Sequence, residues 1–375
     1  MRILYLTDNS SVHNRRFLEK LVVAGHEVWA WNLLSTRASE DGLPRGVRLI
    51  ASGKSVERNA SPERYRDLLP QLRSVLQELR PALVHAGPIQ SAGYLAALAD
   101  FHPLLVMSWG SDLLLGAERD SEFRDATKFA LERADAFFCD CDTVRQKANG
   151  FREFSGAQVV QFPWGVKRGE FSPVGPLPPG ELFQREEGTS SFIYTRSYEP
   201  LYGTDVLLSA FARAHSANAA LRLILVGNGS QDQVVRSFVE AQGLNDAVSL
   251  LGPRPPSELP MWFRAADAYI SCAKSDGTSI SLLEAMATGL PVIVTDIPSN
   301  REWVAEPQNG WLAPSGSPAG VAEKMLQVAK LSPVERKAIS DRNQRIVAER
   351  ADWDQNFPRL LNMYERLVSS VHKAS

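Results

Sequence analysis

The chain predicts an α/β protein made of two doubly wound parallel-sheet domains. Short apolar runs alternate with helical patterns through residues 1–172, and the same alternation restarts at 191 and continues to 350. Between them, residues 173–190 replace apolar periodicity with proline, glycine and charge, as an interdomain linker does. Strand–helix alternation of this kind places helices on both faces of a parallel sheet. A length of 375 residues also exceeds what one hydrophobic core usually serves. A last amphipathic helix within 351–375 follows a second domain that is already complete.

Taken in order, RILYLTD reads as the first strand, and NRRFLEKLVVAGH as an amphipathic helix stopped at Gly25. HEVWAWNL and VRLIAS give two more strands, and PERYRDLLPQLRSVLQELR a long helix. ALVHAG, LLVMSW, AFFCD and QVVQFPWGV are strands, with helices expected from Ser91 to Ala99 and from Arg124 to Arg133. In the second half SFIYTR, LRLILVG, VSLLG and AYISC are strands. GTDVLLSAFARAH, QVVRSFVEAQG and ELPMWFRAA are the helices between them. VIVTD is a further buried strand, and GVAEKMLQVAK and the stretch from Pro333 are helical. No short internal repeat interrupts the series.

Composition excludes several classes. A formal net charge of −2 argues against a nucleic-acid partner, which usually demands a basic excess. Three cysteines in 375 residues are too few for a disulfide framework and suit a reducing compartment. The apolar start ILYL is one short strand followed by Asp8, so no leader is expected. No run approaches the length that spans a bilayer. The expected location is therefore cytoplasmic. Residues 2–80 carry a basic excess that suits either a solvated helical face or a peripheral contact with the inner membrane face.

The densest chemistry lies in SDGTSISLLEAMATGLPVIVTDIPSNR, residues 275–301. Asp276 precedes Gly277, Thr278 and Ser279, which suit a helix start. Leu282, Leu283 and Met286 give that helix an apolar face, and Gly289 stops it. Glu284 lies eight residues after Asp276, roughly 12 Å along a helix axis. That separation is too great for two carboxylates sharing a proton and suits acids gripping opposite ends of an extended ligand. Free N–H groups at the intervening helix start suit a phosphate. Acid, anion hole and acid in a row fit a sugar, a diphosphate and a ribose.

This segment resembles the E-x7-E signature of retaining GT-B glycosyltransferases of family 4 (glycosyl transferases group 1), with Asp276 in place of the first glutamate. The resemblance covers nearly the whole chain and is strongest from Tyr194 to Trp311. It implies a GT-B fold: two Rossmann-like domains facing a central cleft, with the C-terminal helix crossing back to the first. It implies acceptor binding by 1–172 and nucleotide-sugar donor binding by 191–350. The implied activity is retaining, metal-independent transfer of a hexose from a nucleotide-diphosphate sugar to an acceptor hydroxyl. That acceptor is a glycan, a lipid-linked sugar or a small molecule. No cofactor is expected.

Residue roles follow from the same resemblance. Asp276 would hold hydroxyls of the donor sugar, Gly277, Thr278 and Ser279 would present N–H groups, and Glu284 would bind the ribose. Arg196, Tyr202 and Gly203 stand where the family has arginine, lysine and glycine clamping the diphosphate. Arg196 thus keeps the clamp arginine, while Tyr202 replaces the lysine and leaves Lys274 as a candidate second cation. Gly227, in LRLILVGNGS, matches a turn that lines the family's donor cleft. Gly252 and Arg254 fall near the nucleotide base, whereas Trp262 reads as core. On the acceptor side, the loop TDNSSVHN offers Asn9, Ser10, Ser11 and His13. His85 ends a strand, where a cleft role and a structural one are both open. Trp109 and Asp112, in SWGSD, resemble the loop facing the donor sugar, with Trp109 where the family commonly has histidine.

Cys139-Asp140-Cys141-Asp142 contains a DxD and a CxC, but no second cysteine pair or histidine cluster accompanies it, and no metal is expected there. The replaced lysine and shortened acid also leave room for a non-catalytic GT-B binding or scaffold protein. A GT-B sugar phosphorylase or epimerase is a third reading.

Overall fold

The computed structural model describes residues 1–7, 12–34, 43–51, 53–57, 60–180 and 186–374. The chain forms two compact units, one of Met1–Phe162 with Gln355–Ser375, the other of Pro163–Asp354.

In the first unit the strands are β1 (Arg2–Thr7), β2 (Glu27–Asn32), β3 (Val47–Leu49), β4 (Leu83–Ala86), β5 (Leu104–Met107), β6 (Ala136–Cys139) and β7 (Val159–Gln161). They form one sheet in the order β3-β2-β1-β4-β5-β6-β7, parallel throughout. The helices are α1 (Val12–Val23), α2 (Leu69–Leu79), α3 (Tyr94–Ala99), α4 (Ser111–Leu114), α5 (Ser121–Arg133) and α6 (Asp142–Asn149). The helix expected to begin at Ser91 starts instead with a π turn over Ile89–Gly93, and α3 takes over only at Tyr94.

β4, β5 and β6 are buried at every position, which is why they read as unbroken apolar runs rather than alternating ones. Successive side chains still serve opposite faces. On β6, Phe137 joins the cluster of Leu72, Leu95 and Leu131, and Phe138 packs against Phe17 at 5.7 Å and Phe162 at 4.8 Å between ring centroids.

The second unit contains β8 (Ser190–Tyr194), β9 (Leu221–Val226), β10 (Val248–Gly252), β11 (Ala268–Ser271), β12 (Val292–Thr295) and β13 (Gly310–Ala313). Its sheet runs β10-β9-β8-β11-β12-β13, again parallel. The helices α7 (Thr204–Ala217), α8 (Asp232–Ala241), α9 (Leu259–Ala265), α10 (Ile280–Ala287), α11 (Pro298–Arg301), α12 (Pro318–Ala329), α13 (Pro333–Arg350) and α14 (Trp353–Asn356) complete the order up to α15 (Pro358–Ala374). In each sheet the winding direction reverses once, between β1 and β4 and between β8 and β11. A parallel sheet wound in two directions opens a crevice at the carboxyl ends of those two strands.

α15 belongs to the first unit. Its Tyr364 hydroxyl meets Nδ1 of His85 on β4, and Phe357 just ahead of it lies 6.1 Å from Phe17. Part of the proline-rich stretch read as a linker is fastened down in the second unit. Arg264 on α9 donates to the carbonyls of Ser172 and Pro176, the latter at 2.9 Å. Burial lowers the Arg264 pKa from its ordinary value.

α13 starts at a capping box in which Ser332 and Glu335 satisfy each other's backbone N–H groups. It is anchored by Asn343, which is fully buried. The Asn343 amide donates to the carbonyls of Leu290 at 2.8 Å and Asn309 at 3.0 Å, and its oxygen accepts from the Asn309 side chain. Asn343→Ala leaves three buried polar partners unmatched and should cost about 2–4 kcal/mol, read from urea unfolding. A loss below 0.5 kcal/mol would show that the network is not holding α13.

Candidate functional site

β8 and β11 are neighbours although about 75 residues separate them in the chain, and the loops leaving their carboxyl ends meet. The β8 strand stops at Tyr194, so Arg196 lies in the loop beyond it rather than at the strand end. Asp276 lies in the loop after β11. The Arg196 guanidinium contacts Asp276 Oδ2 at 2.8 Å and donates to Ser279 Oγ at 2.8 Å, and its Cζ lies 4.2 Å from the centre of the Tyr202 ring. One cation is thus held by an acid, a hydroxyl and an aromatic face.

The side chains of Arg196 and Asp276 are only 13% and 20% exposed. Burial opposes the Arg196 charge, but Asp276 and the surrounding tyrosines outweigh it, and the guanidinium stays charged more firmly than usual. Burial pushes the Asp276 carboxyl up from its ordinary value. Arg196 and the Gly277 N–H offset part of that. A charge in such a place is tolerated because its partner is present.

Helix α10 begins after Ser279, whose side chain accepts from the Leu282 N–H as a cap. Gly277 and Thr278 therefore precede the helix rather than form its first turn. Ser279 Oγ also lies 3.1 Å from Ser281 Oγ, which lies 2.8 Å from the hydroxyl of buried Tyr269. Thr278 and Ser279 are buried, and Glu284 is half-buried in mid-helix. The β11–α10 loop is tied down by Thr295, whose hydroxyl donates to the Ala273 carbonyl at 2.6 Å.

Two glycines allow the loops to close on this point. Gly203 has φ +66°, and a Cβ there would lie 2.1 Å from the Cys272 carbonyl oxygen. Gly227 has φ +147° and would meet the Arg196 carbonyl at 2.7 Å. No L side chain fits either position without moving backbone. The loops after β8 and β9 are joined further by the Tyr198 N–H donating to the Asn228 carbonyl and by Glu199 accepting from the Ser230 N–H.

Arg254 follows β10 on the same sheet edge. It lies over Trp262, with 5.6 Å from Cζ to the ring centre, and 3.9 Å from Glu258. Trp262 is fully buried, as the core reading required. Lys274 is exposed, and its backbone N–H donates to the Leu201 carbonyl.

The first-unit candidates divide sharply. His13 and Trp109 come together, 6.3 Å between ring centroids, and both are half-buried. Ser10 and Ser11 lie outside the described residues, as does Asn9. His85 does not line a cleft: it is fully buried among Tyr5, Phe17, Phe138 and Tyr364. Burial lowers its pKa to about 3. Asp112 is likewise a scaffold acid. It accepts from the Ser108 hydroxyl at 2.6 Å and from the N–H groups of Ile89, Trp109 and Leu113, each at 3.0 Å. Its carboxylate ties the β5–α4 loop, Trp109 included, to the turn after β4.

Sequence reasoning missed the Arg196–Ser279 bond, the placement of Tyr202 under the guanidinium, and the Tyr269–Ser281 link. No local spacing signals them, because 83 residues separate Arg196 from Ser279. Among the described residues no three His, Cys, Asp or Glu side chains converge as metal ligands, and Cys139, Cys141 and Cys272 are buried and form no disulfide.

Two family models match the chain: "Glycosyl transferase 4-like" over residues 2–141 and "Glycosyl transferases group 1" over residues 183–346. A phosphatidyl-myo-inositol mannosyltransferase of Mycobacterium leprae is 28% identical over 224 residues, 59% of this chain and 57% of its own length. A D-inositol 3-phosphate glycosyltransferase of Gordonia bronchialis is 29% identical over 181 residues, 46% of this chain and 39% of its own. The chain spans about half the length of these curated relatives. Among solved structures, a sucrose-phosphate synthase of Thermosynechococcus elongatus is similar at TM-score 0.86 and 17% identity, over 99% of this chain and 100% of its own. HepE of Anabaena, solved in complex with UDP, is similar at TM-score 0.75 and 17% identity over 100% of both chains. With its two parallel sheets, the chain has the GT-B fold.

The buried His85 gives a pH dependence with a definite sign. Its folded pKa lies below the ordinary value of 6.5, so the unfolded chain takes up the proton first. The stability it contributes is present above about pH 6.5 and is lost as pH falls toward 3. Lowering pH from 7 to 5 should cost the wild type roughly 2 kcal/mol more than a His85→Gln variant. Equal losses in urea unfolding would contradict this.

Proposed function

The chain belongs to the group 1, 4-like glycosyltransferases, and we propose that it is a retaining, metal-independent transferase. It moves a hexose from a nucleotide-diphosphate sugar to an acceptor hydroxyl. The observation that carries this reading is the Arg196–Asp276 pair where the second sheet changes winding direction. A buried, permanently charged guanidinium between two strand ends suits a leaving diphosphate, because a fixed cation stabilises developing negative charge with little reorganisation.

In this reading Arg196 faces the diphosphate and Asp276 orients Arg196 while offering its second oxygen to the donor sugar. Backbone N–H groups of Gly277, Thr278 and Ser279 approach sugar or phosphate, and Glu284 holds the ribose. Gly203 and Gly227 let the loops close, and Arg254 contributes near the base. The leaving phosphate takes the proton of the acceptor hydroxyl on the same face of the sugar, so no protein nucleophile is required. His13 and Trp109 are the acceptor-side candidates of the first unit.

HepE was solved with UDP, which puts UDP-sugars first among donors to try. The mannosyltransferase relative carries phosphatidylinositol in its name, which adds a lipid-linked acceptor to glycans and small molecules. No helix among the described residues is long and apolar enough to cross a membrane. Three cysteines without a disulfide suit the cytoplasm, with peripheral contact at the inner membrane face for a lipid-linked acceptor.

A screen of UDP-, GDP- and ADP-sugars by thermal shift, followed by transfer assays, tests this function. Arg196→Ala should lower transfer about 10²–10³-fold. If donor binding survives without transfer in the wild type, the chain is a binding protein and the catalytic reading fails.

Glu284→Ala should raise the donor KM about tenfold with a smaller change in kcat, whereas Asp276→Ala should mainly lower kcat. Unchanged donor affinity in Glu284→Ala would remove the ribose assignment.

A further inference from the structure

Tyr202 stands where the family resemblance implies a second clamp cation, and in this chain its ring meets Arg196 instead. Its ring lies against the Arg196 guanidinium, 4.2 Å from Cζ to the ring centre, while Asp276 and Ser279 take N–H groups of the same guanidinium. A guanidinium over an aromatic face is attracted to the ring, and the attraction grows as water is excluded. Arg196 is thereby held by three different side chains.

The ring itself is fixed by its backbone. Tyr202 ends a short 3-10 turn, Pro200–Tyr202. Its N–H donates to the Glu199 carbonyl at 2.9 Å, and its carbonyl accepts from the buried Tyr194 hydroxyl at 3.4 Å. The preceding carbonyl, of Leu201, accepts from the Lys274 N–H at 2.9 Å. The following residue is Gly203, wedged against Cys272 with no room for a side chain. The ring's backbone is thus placed by contacts to β8, which leads into Arg196, and to the loop after β11, which carries Asp276.

We infer that Tyr202 is a positioning residue which replaces a second positive charge by rigidity, so that a nucleoside diphosphate is met by one pre-oriented arginine. The inference rests on the donor-site reading above. Tyr202 acts through Arg196: with the ring in place the guanidinium keeps its remaining N–H groups presented in one orientation, and a flexible arginine would lose that on binding. Recognition of the diphosphate then depends on Tyr202, and recognition of the nucleoside does not.

The test measures UDP, GDP and ADP, together with the corresponding nucleosides, against the full chain by titration calorimetry, with thermal shift at millimolar nucleotide for the weak variants. Tyr202→Phe keeps the ring and should bind the preferred diphosphate within about twofold of wild type. Tyr202→Leu should bind it about 3- to 30-fold more weakly, with nucleoside affinity unchanged. In an Arg196→Ala background the Tyr202→Leu change should have no further effect, because the group it positions is gone.

Several outcomes overturn the inference. Wild-type diphosphate affinity in Tyr202→Leu removes it while leaving the donor site intact. Equal losses for diphosphate and nucleoside, or a full loss repeated in the Arg196→Ala background, show a packing residue rather than a positioning one. A wild-type protein that binds none of the three diphosphates removes the donor-site reading, and this inference falls with it.

Discussion

The ion pair between Arg196 and Asp276 is the constraint around which the second unit is arranged. A guanidinium 13% exposed would carry a severe desolvation penalty alone, so the strand leading to it must lie beside one whose following loop supplies an acid. β8 and β11 satisfy this because the sheet is wound outward in both directions from them. The same geometry asks for backbone without side chains at Gly203 and Gly227, where loops pack against the Cys272 and Arg196 carbonyls. It also places Ser279 so that one hydroxyl both caps α10 and meets the guanidinium.

The first unit distributes its polar groups differently. His85 on β4 and Asp112 in α4, beyond the end of β5, both serve the scaffold. His85 lies in an aromatic cluster and anchors α15 through Tyr364. Asp112 accepts four hydrogen bonds from the loops that carry Trp109 and Ile89. What stays partly open there is the His13–Trp109 pair.

Two replacements near Arg196 become intelligible together. Asp276 is one methylene shorter than the glutamate expected there, and at that length it contacts the guanidinium directly. Tyr202 lacks the charge expected at its position and supplies a ring to the same guanidinium. Both changes act on a single cation and bring more order to it, in place of a second cation beside it.

Much of this was legible without coordinates. Strand–helix alternation, the D-x7-E spacing, Arg196 and the glycine turns are local patterns, set by period, charge and backbone freedom over a few residues. The π turn after β4, the end of β8 before Arg196 and the late start of α10 shifted boundaries by a turn or less, because tertiary contacts decide where a helix or strand frays. The fate of single polar residues was a different matter. For His85 a cleft role and a structural one were both open, Asp112 resembled a loop facing the donor sugar, and Ser279 and Tyr202 looked less specific than they are. Whether such a side chain points to solvent, core or partner depends on which distant strand lies beside it. By itself the sequence determined the two doubly wound sheets and singled out the stretch that carries the candidate site, since hydrophobic periodicity and glycine placement act locally. Only the tertiary structure decided which groups share Arg196, because that required β8 and β11, far apart in the chain, to become neighbours.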